Sequence, residues 1–163
     1  MSNNKIYSDK QEKAIAKKLK WKQVSGSGAR PFHVGDVVSD DWLGECKTHT
    51  KPDNKIEFKV KVWEKLLDEA LSTNKYPIYF CDDGSQNLRK IWCCISEKRN
   101  PFGIFLEDKL LNIVTKDKNI RFEHDSVDDI LISNGQQFIK TTLGDEDVYI
   151  MPLQSFYNLI YGE

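Results

Sequence analysis

The sequence predicts a mixed α/β domain, and three features carry that prediction. Apolar residues recur at helical spacing near the start, in the middle and at the end of the chain. Short apolar runs bounded by turn residues lie between these segments and read as strands. The 163 residues, 39% hydrophobic and 30% charged, suffice for one core, so a single domain over 1–163 is expected. Helices interleaved with strands give a sheet flanked by helices.

The first helix is expected over 8–20. Ile15 and Leu19 share one face among lysines, and Ser8 with Gln11, or Asp9 with Glu12, offers a capping box. SGSGAR, 25–30, reads as a loop. Gly35–Val38 and Trp42–Lys47 read as two strands, with Ser39-Asp40-Asp41 as the turn between them. Pro52, Asp53 and Asn54 precede a long amphipathic helix from Ile56 to Thr73. Its stripe is Ile56, Val60, Trp63, Leu67, Ala70 and Leu71, and its capping box is Asn54 with Glu57. Tyr76–Cys81 and Ile91–Ser96 are further strands. Residues 101–142 hold the short apolar segments Phe102–Leu106, Leu110–Val114, Ile130–Ile132 and Phe138–Thr142, which read as β-hairpins. Val148–Pro152 is a last strand and Leu153–Tyr161 a closing helix. The core is therefore expected over 8–96 and 148–161, with a β-rich insertion at 97–147.

No run approaches the roughly 20 apolar residues needed to span a bilayer, and MSNNKIYSDKQEK has no apolar signal region, so a cytoplasmic protein without membrane contact is expected. Cys46, Cys81, Cys93 and Cys94 show neither a disulfide framework nor zinc-ligand spacing. The net charge is −1, but residues 1–80 carry 15 basic and 11 acidic side chains and residues 81–163 nine and 14. That basic excess suits a phosphate backbone or simply a lysine-rich wet surface.

Asp36, Glu45 and Lys47 are the candidate site. If Asp40-Asp41 is a two-residue turn, Ser39 pairs with Trp42, Val38 with Leu43 and Asp36 with Glu45. Paired residues share a sheet face, and Lys47, two positions on, shares it too, while Cys46 points to the core. Two carboxylates that hold a metal, with an ammonium beside them to orient water, form the chemistry of phosphodiester hydrolysis. The bland reading is that both acids are solvent-facing strand residues. Acid-x-Lys spacing also occurs at Asp53-Lys55, Glu57-Lys59 and Glu107-Lys109, and chance yields roughly three such pairs. Asp53 with Glu57-Phe58-Lys59 leaves too few residues for strand, turn and strand, and Glu57 reads as a helix cap. Only Glu45 lies in an apolar strand nine residues after an acid in another.

Glu12, Ser25-Gly26-Ser27-Gly28, Gly35-Asp36-Val37-Val38 and Glu45-Cys46-Lys47 together resemble the archaeal Holliday junction resolvases and related phage nucleases of the PD-(D/E)XK superfamily. The resemblance covers residues 8–96 best and implies a restriction-endonuclease-like fold. It implies Asp36, Glu45 and the Cys46 carbonyl as ligands of Mg²⁺ (or Mn²⁺), and Lys47 as the water-orienting group. It implies Glu12 as an outer acid binding the metal through water, with Ser25, Ser27 or Arg30 on phosphate. The sequence departs from the pattern in carrying Gly35 where the motif has Pro. Glu12 has a second reading, as a helix cap.

The expected activity is therefore a Mg²⁺-dependent DNA endonuclease, acting on four-way junctions as a homodimer in phage recombination or replication. Its rivals are a nicking or restriction-like enzyme on plain duplex, a non-catalytic DNA-binding module, and an interaction domain in which the triad is coincidence. Lys17, Lys18, Lys20 and Lys22 either grip phosphates or form the wet face of their helix. His33 reads as a loop residue or a DNA contact near the scissile phosphate, His49 as the exposed end of a strand or an assisting group near Lys47, His124 as part of an acidic turn, and Trp63 as core or dimer interface.

Overall fold

The computed structural model describes residues 3–24, 35–49, 52–85, 87–103, 115–116 and 118–162. It is an α/β structure with a mixed, mostly antiparallel sheet flanked by helices. The elements run α1 (Asn3–Leu19), β1 (Lys22–Gln23), β2 (Val37–Val38), β3 (Trp42–Lys47), β4 (Lys55–Phe58), α2 (Val60–Thr73) and β5 (Tyr76–Cys81). After a short 3₁₀ turn at Leu88–Lys90 come β6 (Trp92–Ser96), β7 (Thr115–Lys116), β8 (Asn119–Glu123), α3 (His124–Asn134), β9 (Ile139–Leu143), β10 (Glu146–Pro152) and α4 (Leu153–Tyr161). The large sheet has the order β1-β2-β3-β5-β6-β10-β9, and a small one the order β4-β8-β7.

Among the described residues, only β3 and β5 run parallel, in the register Trp42↔Tyr76 to Lys47↔Cys81. A parallel pair needs a crossover, and here β4 and α2 supply it. Both faces of the sheet are covered, which is why YPIYFC and WCCIS are continuous apolar runs rather than alternating ones. Ile15 and Leu19 of α1 and Phe156 of α4 pack with Cys46, Phe80 and Cys93 on one face. Trp63, Leu66 and Ala70 of α2 and Phe58 of β4 pack with Leu43, Tyr79 and Cys94 on the other. Trp63 is core, fully buried, and all four cysteines are buried free thiols.

Three sequence expectations are corrected. The first helix starts at Asn3, so Ser8 and Asp9 lie inside it and neither capping box exists. The helix expected from Ile56 begins only at Val60. Residues 55–58 form strand β4, with Ile56 and Phe58 fully buried and Glu57 between them only partly buried, a period of two rather than 3.6. Glu57 is therefore no cap: it forms an ion pair with Arg121, its antiparallel partner on β8. The N–H of Val60 is instead capped by Asn119 Oδ1 at 2.9 Å. The third correction lies in 101–142, where helix α3 replaces the strand expected at Ile130–Ile132. Val127 and Leu131, one turn apart, form its buried stripe. The expected segments at 102–106 and 110–114 fall largely outside the described residues. His124 opens α3, is buried, and accepts a 2.8 Å hydrogen bond from Trp92 Nε1, so it is a core residue rather than part of a turn.

Gly44 lets β2 lie close on β3. A Cβ there would sit 2.7 Å from Val37 Cγ2 and 2.9 Å from Phe80 Cε2. Gly44→Ala is expected to lower stability by about 1–3 kcal/mol through overpacking. A urea melt should show an earlier midpoint at an unchanged m-value.

Candidate functional site

The β2–β3 hairpin has the register that the sequence implies, as far as it pairs regularly. Val38 lies opposite Leu43 and Val37 opposite Gly44. The Ser39 N–H donates to the Trp42 carbonyl at 3.0 Å across the Asp40-Asp41 turn. The register slips at Asp36, whose N–H joins the Gly44 carbonyl at 2.8 Å. This extra residue against Gly44 has the pattern of a bulge, which re-aims a side chain. Asp36 Oδ2 accepts the Cys46 N–H at 2.8 Å, an edge donor that β2 does not reach. Val24 N–H holds the Asp36 carbonyl at 2.8 Å, so both main chain and side chain of Asp36 are fixed.

Gly35 explains the missing proline. Its φ is +76°, which glycine adopts freely and proline, locked near −65°, cannot.

Asp36 stands between two other carboxyls, from opposite faces of the sheet. Glu12 comes from α1, one turn before Ile15 and Ala16 on the same helix face, and its carboxyl hydrogen-bonds to that of Asp36. Burial, then the charge and hydrogen bond of Asp36, push Glu12 up to about 8, against a hydrogen bond from Gln23 that lowers it. Facing the Asp36 carboxyl, Glu12 therefore holds its proton to higher pH than an ordinary carboxyl does. Glu45 comes from β3, paired with Tyr79 on β5. Burial first, then Asp36, push it up to about 7, and Lys47 opposes the rise. Lys47 Nζ lies 3.5 Å from Glu45 Oε1.

No family model, curated protein or solved structure matches this chain.

Of the predicted residues, then, Asp36, Glu45, Lys47 and Glu12 come together, and the Cys46 main chain joins them through its N–H. The Cys46 side chain is buried on the α1 face, as expected. Glu12 is not a helix cap. Ser25, Ser27, Arg30 and His33 lie outside the described residues. Lys17 is exposed. Lys18 is engaged by α4, donating to Gln154 Oε1 at 2.7 Å and lying over the Tyr157 ring at 4.7 Å. Lys20 lies over Tyr161 at 5.3 Å. His49 is only partly exposed.

Two residues that the sequence did not mark for the site support the cluster; in the sequence Gln11 reads only as a capping-box partner of Ser8. Gln11 is 2% exposed and donates through Nε2 to the Lys47 carbonyl at 2.7 Å, tying α1 to the end of β3. Gln23 donates to Asp9 Oδ1 at 2.9 Å and also reaches Glu12. A longer first helix would have revealed Gln11: Gln11, Glu12, Ile15 and Leu19 follow one stripe, in which two polar residues replace apolar ones.

The donor set suits a hard divalent cation, since it consists of carboxylate oxygens. The raised Glu12 and Glu45 show the fit from the other side. Negative charge is crowded here, and a proton now does what a cation would do. Among the described residues, no three His, Cys, Asp or Glu side chains already converge as a ready ligand shell.

Proposed function

We propose that the chain is a metal-dependent DNA endonuclease with a restriction-endonuclease-like core, resolvase-like in preferring branched DNA. The observation that supports this best is the Asp36 carboxylate, pinned by the Cys46 N–H at 2.8 Å, in hydrogen-bond contact with Glu12 and beside Glu45 and Lys47. Asp36, Glu45 and the Cys46 carbonyl would hold Mg²⁺, with Glu12 through water. Bound there, Mg²⁺ would supply charge stabilisation at the phosphate and a more acidic water.

The chain's own residues have distinct tasks in this reading. Asp36 is fixed before any ligand arrives, so it loses little freedom on binding one. Lys47, held beside Glu45, orients the attacking water and offsets charge that builds on the phosphate. Glu12 carries a proton that must leave as the metal enters, so binding is coupled to pH. Gln11 fixes the main chain at Lys47, so the ammonium springs from a rigid strand end.

Cleavage of a four-way junction and of a matched linear duplex tests the proposal. With Mg²⁺, the junction is expected to be cut and the duplex to survive. Two symmetric cuts would fit a homodimer. Equal cutting of both DNAs would keep the nuclease and remove the branch preference. Metal binding without cleavage of either would leave a binding module on the same fold.

A further inference from the structure

A cleft of about 340 Å³ opens at the end of the sheet that carries the candidate site. Strand register fixes its place. Lys47 pairs with Cys81, Cys81 with Trp92 and Trp92 with Pro152, so these four form one row across β3, β5, β6 and β10. Lys47 belongs to the candidate site and Pro152 to the cleft wall. Three interstrand steps separate them, about 14 Å. Helix α1 supplies a second ruler. Glu12 stands six residues before Lys18, which lines the cleft, about 9 Å along the helix axis.

Separate elements build the cleft. The 3₁₀ turn brings Leu88 and Arg89, α1 brings Lys18, and the start of α4 brings Leu153 and Gln154. The Leu153 N–H donates to the Ile91 carbonyl at 2.9 Å, which fixes α4 against the residue that ends the 3₁₀ turn. The two cations here are held but not neutralised. Lys18 Nζ meets two uncharged partners, Gln154 Oε1 at 2.7 Å and the Tyr157 ring at 4.7 Å. Among the described residues the Arg89 guanidinium makes no ion pair. One carboxylate, Asp128 on α3, joins the described lining, and it pairs with neither cation. Lys90, the next residue, shows the contrast: buried Asp83 neutralises it at 3.2 Å. Beside the cations Leu88 is left 38% exposed. Cations next to open apolar surface match a sugar–phosphate chain, in which a charged linkage alternates with a largely apolar ring.

We propose that this cleft holds a phosphodiester of the substrate DNA, about four nucleotides from the scissile phosphate at 3.4 Å for each nucleotide. The inference rests on the nuclease reading and deepens it by giving the path of the strand, from Lys47 along the row to Arg89 and Lys18. Charge complementarity selects the occupant, and the row sets the distance. A contact of this kind positions the DNA over the acidic cluster and carries no sequence information. Branched and linear DNA would both use it.

Salt dependence tests the cleft, with Ca²⁺ in place of Mg²⁺ to hold the DNA uncut. Each phosphate contact steepens the fall of log K with log salt by about 0.9. Arg89→Gln and Lys18→Gln are each expected to weaken binding of a four-way junction roughly tenfold and to flatten that slope by about one. Lys98→Gln, an exposed lysine past the opposite end of β6, should leave both unchanged. Single neutral methylphosphonates scanned along the strand add position. One linkage should cost the wild type roughly tenfold in affinity and cost Arg89→Gln nothing further. With Mg²⁺ that linkage should lie about four nucleotides from the cut. An unchanged slope in Arg89→Gln, an equal loss in Lys98→Gln, or no DNA binding by the wild type overturns the assignment, even where cleavage proves the nuclease. A sensitive linkage a full helical turn or more from the cut overturns the path. A slope and a linkage effect lost only in the cleft variants support the cleft even where no DNA is cut and the nuclease reading has failed.

Discussion

Replacing Glu45 with glutamine is expected to reduce Mg²⁺-dependent DNA cleavage by roughly 10²–10³-fold or more and to stabilise the metal-free protein at pH 8. On the proposed reading, the first effect follows from the loss of one charged oxygen that would hold the metal beside Lys47. The second follows from the charge that Glu45 carries unwillingly. Burial and the neighbouring Asp36 raise it to about 7, above its unfolded value near 4.5. A raised carboxyl favours the folded state below the unfolded value, and that contribution is lost as pH climbs through the folded one. At pH 8 wild-type Glu45 is ionised at a cost, which the neutral amide of Glu45→Gln does not incur; at pH 4 the two proteins should melt together. The ion pair surrendered with Lys47 counts for little, since that side chain is half exposed. Melting curves at both pH values and a cleavage time course check the two halves separately. Undiminished cleavage by the variant would remove Glu45 from the chemistry. A loss of stability at pH 8 would mean that Glu45 is structural.

The part of this site that sequence made legible is the part built by local rules. The two-residue turn at Asp40-Asp41 and the period of two in Trp42–Lys47 give the pairing of Val38 with Leu43. The bulge at Asp36 was not legible, because it depends on how β1 closes on β2, with Gln23 opposite Val37. Glu12 reads as a cap only for a helix that starts at Ser8 or Asp9. Five more residues of helix turn it to the inner face, and nothing local in MSNNKIY announces that start.

The fold failed to read where two periods coincide. Ile56, Val60 and Trp63 have helical spacing, yet Ile56 and Phe58 also alternate, and the partner that decides between them, β8, lies more than 60 residues away. Pairing with a distant strand overrides local preference. In α3, Val127 and Leu131 carry the helical signal within a stretch rich in Asp, Ile and Ser, whose propensities are weak. The closing strand and helix, 148–161, read well because their apolar pattern is long and unambiguous.

Mg²⁺ is expected to raise the melting temperature of the wild type at pH 8 and to do far less at pH 5.5. At a concentration about 100 times its dissociation constant a ligand adds about 2.7 kcal/mol, worth about 5–10 °C in a chain of this length. At pH 5.5 Glu12 and Glu45, raised to about 8 and about 7, both hold protons, and the cation must displace them. At pH 8 Glu45 is ionised and Glu12 about half so, and the repulsion that each feels from Asp36 is the energy that a cation relieves. On the proposed reading, the same carboxyls would thus lower apo stability and raise metal affinity over one pH window, with opposite signs. Asp36→Asn should abolish the Mg²⁺ shift at pH 8, because the central charge is gone. It should also let Glu12 and Glu45 ionise at lower pH, since Asp36 raises both. Equal Mg²⁺ shifts at the two pH values, or a shift that persists in Asp36→Asn at matched ionic strength, would place the cation elsewhere on the protein and separate the acidic cluster from metal binding.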